Sequence, residues 1–496
     1  MRAVHLVPAG LVLVALGAIG AAAQLGHPAA APRPASSPAA TRQVPVTSAA
    51  RACPPAPDGG AAPVALLAGG AGATGKGQQG QVELTALPPA GQPVRATGPV
   101  RAQSPGALTL LTLPAGKATG TRQTPAAQGW SVAGGGTMAQ GMEAELTQNS
   151  GLASVRCAEP GSDLWFLGPG QQNGGSRVQL DLMNVDSTAA SVDVTVINDG
   201  GQAQAGNDNG ITVPPHQTAT ESLSSLAHGS SVLAIEVHTS IGRVAAGVSA
   251  ESHGTTSWLP GTASSSTRLV IPGVPPSGST AGLFVADPGT STATVTVTAI
   301  TPQGHIRPFG SQSVDLPGQS ASYVALSPLG GTTAALQLTS NVPVVAAVLV
   351  PGSGPGVLTS ATAPISEQAI VAGNTSGGGM AASVVLSAPG AAARVRLTEI
   401  APAGRGAGNG TSVTTSQVVP VKAGRTLAAA VTAPKGARPG SAFAVVITPL
   451  AGSGPVYAAR VETQDHSTVV SIIPAASALI TISLPPVRDS YDAISP

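Results

Sequence analysis

The chain has 496 residues, a formal net charge of +1, 9% charged and 2% aromatic side chains, and 63 Gly with 45 Pro. Roughly three to five domains fit that length. Gly and Pro, the two poorest helix formers, are dispersed throughout and exclude a helix-rich fold. The even charge balance also lacks the basic face that nucleic-acid binding needs.

The chain opens Met1-Arg2-Ala3-Val4-His5, followed by an uncharged apolar stretch, Leu6 to Ala23, ending in Ala21-Ala22-Ala23. A short positive region, an apolar core and a small-residue exit make an export signal. Residues 1–23 are therefore expected to be a signal peptide or an N-terminal anchor, the only contact with a membrane if uncleaved. Residues 24–52 are rich in Ala, Pro, Ser and Thr. They cannot bury a core and are expected to form an extended linker. The expected location is extracytoplasmic, secreted or tethered to the outer face of the cell membrane. The chain's two cysteines, Cys53 and Cys157, are then expected to form one disulfide.

Beyond the linker the sequence repeats itself. "GRVAAGVSAES" near residue 244 returns as "VPVVAAVLVPGS" near 345, "GPVYAARVETQD" near 457 and "GTMAQGMEAEL" near 138. This sets Met138, Val244, Val345 and Tyr457 as equivalent. Each of the last three copies also carries a long alternating run: "SVDVTVIND" (191–199), "TATVTVTAI" (292–300) and "AARVRLTEI" (392–400). Period-2 alternation between short turns marks half-buried strands, and six to eight strands in roughly 100 residues suit a β-sandwich. The expected fold is all-β, with about four tandem Ig-like β-sandwich units. A β-propeller is the alternative. The units are placed at 53–170 (the divergent first), 171–275, 276–375 and 376–487, with a tail at 488–496.

Six landmarks occur in order: Cys53-Pro54-Pro55, "GWSV" (129–132), "CAEPGSDLWFLG" (157–168), "ITVPPH" (211–216), "GRVAAGV" (242–248) and "LVIPGVP" (269–275). Together they resemble an exported actinobacterial family known only as domain of unknown function 5719. The resemblance implies export and extracytoplasmic placement. It supplies no activity and no catalytic residue.

Candidate chemistry is sparse. Gly70 to Lys76 approximates a phosphate-binding loop, but Gly77 stands where Ser or Thr should ligate magnesium, and a strand rather than a helix is expected to follow. It reads as a hairpin loop. No G-x-S-x-G elbow occurs. The histidines His5, His27, His216, His228, His238, His253, His305 and His466 show no metal-ligand spacing, and the related His253 and His466 read as turn residues. Asp199 and Asp208 lie in the chain's one Asp/Asn-rich stretch, which lacks the bidentate Glu of a calcium loop. Trp130, Trp165 and Trp258 could face a ligand such as a glycan, although the related positions of Trp165 and Trp258 favour plugging cores or junctions. The sequons at Asn374 and Asn409 read as chance matches.

The expected function is that of an exported cell-envelope structural or interaction protein without catalytic activity. It would present a β array to an unknown protein or glycan partner and use no cofactor and no metal. The alternative is a glycan-binding accessory protein in envelope polysaccharide assembly.

Overall fold

The computed structural model describes residues 42–484, apart from 57–59, 71–79, 95–98, 101–103, 115–127, 148–153, 172–176, 204–209, 253–254, 277–279, 309–312, 327–328, 330, 353–355, 405–410 and 466–467. The apolar stretch Leu6–Ala23, residues 24–41 of the expected linker and the tail from 485 lie outside the described residues. The linker's end is no extended tether: Ser48–Cys53 pairs with Gly129–Gly135 and buries Arg51 and Ala52. Two compact units result, Pro45–Thr481 and a smaller one made from the two ends of the chain. In the smaller unit, strand Arg42–Pro45 pairs with strand Thr481–Leu484, and Gln43 donates a hydrogen bond to Ser483.

The large unit is built almost entirely of strands, in four repeats. The fourth repeat shows the plan. Its strands, lettered in chain order, are A (Ala369–Asn374), B (Met380–Ala388), C (Ala393–Pro402), D (Ser412–Val421), E (Arg425–Val431), F (Phe443–Pro449), G (Tyr457–Gln464) and H (Thr468–Pro474). They form two antiparallel four-stranded sheets, ordered A-F-C-D and E-B-G-H. The first repeat has the same two sheets, from Ser48–Cys53 as A to Ser154–Arg156 as H. In the second repeat A is Asp163–Pro169 and H is Thr255–Leu259. In the third, one strand of 17 residues, Ala334–Val350, serves as F in one sheet and G in the other.

Each sheet interleaves strands that are distant in the chain, so the repeats are sandwiches. A propeller blade would instead pair consecutive strands. Pairing also opens each repeat one strand earlier than the sequence division at 275/276 and 375/376. Ser266–Val274 pairs within the third repeat and Ala369–Asn374 within the fourth. Their hydrogen-bond partners lie about seventy residues downstream, which a local pattern does not reveal.

Alternate residues of the central strands enter different cores. Val64 and Leu66 face the interior of the first sandwich, whereas Ala65 and Leu67 join Ile370, Ala372, Ala444 and Val446 of the fourth. Leu283 and Val285 face the third interior, whereas Phe284 and Ala286 join the second repeat. A strand covered on both faces favours apolar residues at every position, which is why F of the fourth repeat (FAVVITP) and the G part of the third repeat's long strand (VVAAVLV) read as nearly unbroken apolar runs.

The junctions follow one rule. The A-F-C-D sheet of one repeat packs on the E-B-G-H sheet of the next. Ala52 and Leu87 of the first repeat meet Met183 and Ala245 of the second. The second repeat's core takes in Phe284, Ala321 and Val345 of the third, and the third's takes in Val385, Ala459 and Ile472 of the fourth. The fourth returns to the first through Ile370 and Ile400 against Leu67 and Leu108. The contacts therefore form a closed cycle.

Candidate functional site at the repeat junctions

The pairs Leu67↔Glu143, Met183↔Ala245, Ala286↔Val345 and Ser387↔Tyr457 fix the true register of the copies. One residue earlier stand Met142, Val244, Val344 and Val456, all 1% exposed or less. The expected set shares only Val244 with these. Val345 and Tyr457 fall one residue late, and Met138 lies in a short 3-10 turn, Gly136–Met138.

In this register the closing junction departs from the other copies. Glu145 occupies the position of Gly247, Ala347 and Ala459. Arg460, one residue on, occupies that of Leu146, Val248 and Val348, each 1% exposed or less. The two departures meet. The Arg460 guanidinium, wholly buried, donates from Nη1 to Glu145 and, at 2.9 Å, to the carbonyl of Gly373. Its Nη2 donates to Ser471 Oγ at 2.6 Å and lies 3.7 Å from Glu462. Glu145 also accepts the Gly373 N–H at 3.0 Å, and Glu462 accepts the Thr375 N–H at 2.6 Å.

A second buried group adjoins it. Glu143 shares the face of Glu145 two residues away, pairs with Arg156 and lies 3.6 Å from Arg51. Glu159 stands 3.4 Å from Arg51 at the exposed rim. Burial works against the charge on Arg460, but Glu145 and Glu462 outweigh it and hold Arg460 above its ordinary value. Burial pushes Glu462 up, with Arg460 opposing. Three guanidinium groups thus face three buried carboxylates. These charges are paired with one another, and through Arg460 and Glu145 the arrangement can hold two repeats in register.

The same junction is strapped by the segment after strand H. The Ala478 N–H donates to Gln368 O, the Gly141 N–H to Leu479 O and the Val46 N–H to Ile480 O, at 2.8, 2.9 and 2.8 Å. Glu367 accepts the Ile480 and Thr481 N–H groups at 2.7 and 3.1 Å and the Thr481 hydroxyl. Burial acts to raise the Glu367 carboxyl, but these donors hold it below its ordinary value.

The junction of the first and second repeats holds its own charge. Asp181 is 1% exposed and stands where the other copies have Ala65, Phe284 and Val385. It accepts from Thr220 Oγ1 at 2.7 Å and from Gln179 at 3.2 Å. Burial pushes its carboxyl up from 3.8 to about 6, against those hydrogen bonds. The folded chain holds this proton more tightly than the unfolded one. Stability is therefore lost as pH rises from about 4 to about 6 and changes no further above that. The loss is about 3 kcal/mol for a shift of this size. Asp181→Asn is expected to raise stability by about 2 kcal/mol near pH 7.5 and to change little near pH 4. Urea titrations at the two pH values check this.

Cys53 and Cys157 are bonded, across 104 residues, from the end of strand A to just beyond strand H of the first repeat. Trp130, Trp165 and Trp258 are 4%, 3% and 7% exposed, so none offers a face to a ligand. Trp130 fills the first core, and Trp258 of the second repeat reaches into that same core. Trp165 lies in the second repeat's core, which is continuous with the third. Pro54 packs on Gly247, where a Cβ would lie 2.8 Å from the proline ring. Asp199 accepts from the Ser231 N–H and hydroxyl. Gly70 bonds Gln140 through its N–H, and the next strand is Val82–Leu87. Lys76, Asp208, His253 and His466 lie outside the described residues. Among the described residues no helix is long and apolar enough to cross a membrane.

The fold defines an all-β protein of four cyclically packed sandwich repeats. A family of unknown function, DUF5719, matches residues 115–432, and the chain belongs to that family. The match runs from ahead of strand F of the first repeat to just past strand E of the fourth. It includes Glu145 and stops short of Arg460. No curated protein matches the chain.

Proposed function

We propose that the chain is an exported structural or interaction protein of the cell envelope, without catalytic activity, that displays four related surfaces to a protein partner. One observation carries this reading. The four repeats keep one scaffold while one outward position of strand C diverges, to Glu83, Asp193, Thr296 and Arg396. A constant framework with variable exposed residues is the pattern of a display scaffold, since exposed polar and charged residues carry recognition and buried ones carry packing. The disulfide fits an oxidising compartment, and the apolar Leu6–Ala23 stretch fits export. A glycan-binding role has lost the aromatic residues that suggested it, because all three tryptophans are buried.

Fractionation of the producing cell is expected to place the chain outside the cytoplasm. Cross-linked affinity capture from the envelope fraction is expected to recover a protein partner. A cytoplasmic chain with free thiols, or capture that recovers no protein, would sink the reading.

A further inference from the structure

The repeats differ sharply in charge. From residue 163 to 262 the sequence carries nine Asp and Glu against two Arg and no Lys. From 369 to 474 it carries eight Arg and Lys against three Asp and Glu. Equivalent faces show the contrast. On the A-F-C-D sheet of the fourth repeat, Arg394 and Arg396 are exposed on one face of strand C. They sit beside Pro420 and Val418 of strand D and Thr448 of strand F. Two residues apart on a strand, they lie about 6.6 Å from each other. Neither guanidinium has an acidic partner among the described residues. Exposed Lys422 follows strand D.

On the same sheet of the second repeat, Asp163, His238 and Asp193 form one row across strands A, F and C, with Glu236 in the next row. Asp163 and His238 are exposed, and Asp193 and Glu236 partly so. Asp193 stands in register with Arg396, by the pairs Asp193↔His238 and Arg396↔Thr448. At this position the second repeat carries a carboxylate where the fourth carries a guanidinium group, and the two repeats are not neighbours in the cycle.

We propose that these faces meet between molecules: the Arg394/Arg396 face of one copy docks on the Asp163/Asp193/Glu236 face of another. This rests on the display reading above and names the partner as a second copy of this chain. The occupant follows from charge complementarity within a molecule of nearly zero net charge, whose field steers unlike faces of two copies together. The contact uses different patches on the two copies, so it joins molecules head to tail and leaves each chain end free to add another.

Sedimentation velocity of the full chain tests it. Concentration-dependent association is expected at low salt and should weaken at least about tenfold as salt is raised, because exposed charges are screened. Arg394→Glu with Arg396→Glu should abolish it, and so should Asp163→Arg with Asp193→Arg. Neither pair touches a core, and unchanged melting curves confirm that each variant folds. Mixing the two reversed variants should restore heterologous association, because each supplies the face that complements the other, one pair native and one pair with its charges swapped. A chain monomeric at every salt and concentration overturns the proposal, as does a mixture that stays apart. Retention on immobilised polyphosphate by a chain that never self-associates also overturns it, in favour of a polyanion on the basic face. If envelope capture recovers some other protein while the chain stays monomeric, the display function stands and only this inference falls.

Discussion

Arg460→Val is expected to lower stability by about 3–5 kcal/mol, the cost of leaving buried carboxylates without their counter-charge. Valine is the residue that the second and third repeats carry at this position, so size and strand propensity do not oppose the change. The cost comes from Glu145 and Glu462, which would stay buried beside each other without the guanidinium. Glu145→Ala alone is expected to be costly as well, because it strands a wholly buried guanidinium. The double variant, Glu145→Ala with Arg460→Val, puts residues of the other copies at both positions and is expected to recover the part of the loss due to Glu145, while the part due to Glu462, still buried without its counter-charge, remains. A double-mutant cycle by urea unfolding measures the coupling. A coupling energy below about 1 kcal/mol would show the pair to be incidental to closure.

Loss of the Cys53–Cys157 bridge is expected to cost about 3–4 kcal/mol. The bridge closes a separation of 104 residues, for which the chain-entropy account gives about 4.7 kcal/mol before any relaxation. Its location adds to the effect. Both cysteines are wholly buried in the first core with Trp130, and Ala52 exchanges N–H to carbonyl bonds with Ala158. Freeing Cys53 therefore loosens strand A, which also supplies Arg51 to the buried charges. Cys53→Ala with Cys157→Ala should lower the urea midpoint, and reductant should lower that of the native chain but leave the variant's unchanged. Equal midpoints for the native and variant chains in the absence of reductant would refute the expected effect.

Much of the fold was legible because strand C keeps one partly exposed face in every repeat. The alternation in 191–199, 292–300 and 392–400 is the direct print of that half-burial. Most of strands A, F and G is covered on both faces, so their runs carry little parity. Their partners are set by packing across repeats that no local pattern encodes. Neither did the charged junction announce itself. Aligning the copies on Met138 instead of Met142 set Glu145 opposite Glu251, and an acid opposite an acid looks ordinary. In the register drawn by strand pairing Glu145 falls among Gly247, Ala347 and Ala459, where an acid is conspicuous. Arg460 likewise falls among Leu146, Val248 and Val348. The signal was present in the sequence, but a turn of different length in the first repeat displaced it by four residues. The tryptophans were readable as buried but not as equivalent, since Trp165 stands on strand A and Trp258 on strand H of one repeat.

The closed cycle of junctions bears on how such a protein can change over time. In an open stack of repeats, copies are added or lost at the ends, and terminal units need polar caps. Here the fourth repeat's A-F-C-D sheet is already covered by the first repeat's E-B-G-H sheet. A fifth copy would have to part Arg460 from Glu145 before it found a place. Duplication or deletion of a whole repeat therefore strands two apolar sheet faces at once. The architecture thus resists a change of repeat number, and the room left for divergence is the part of strand C that the next repeat leaves exposed, as at Glu83, Thr296 and Arg396.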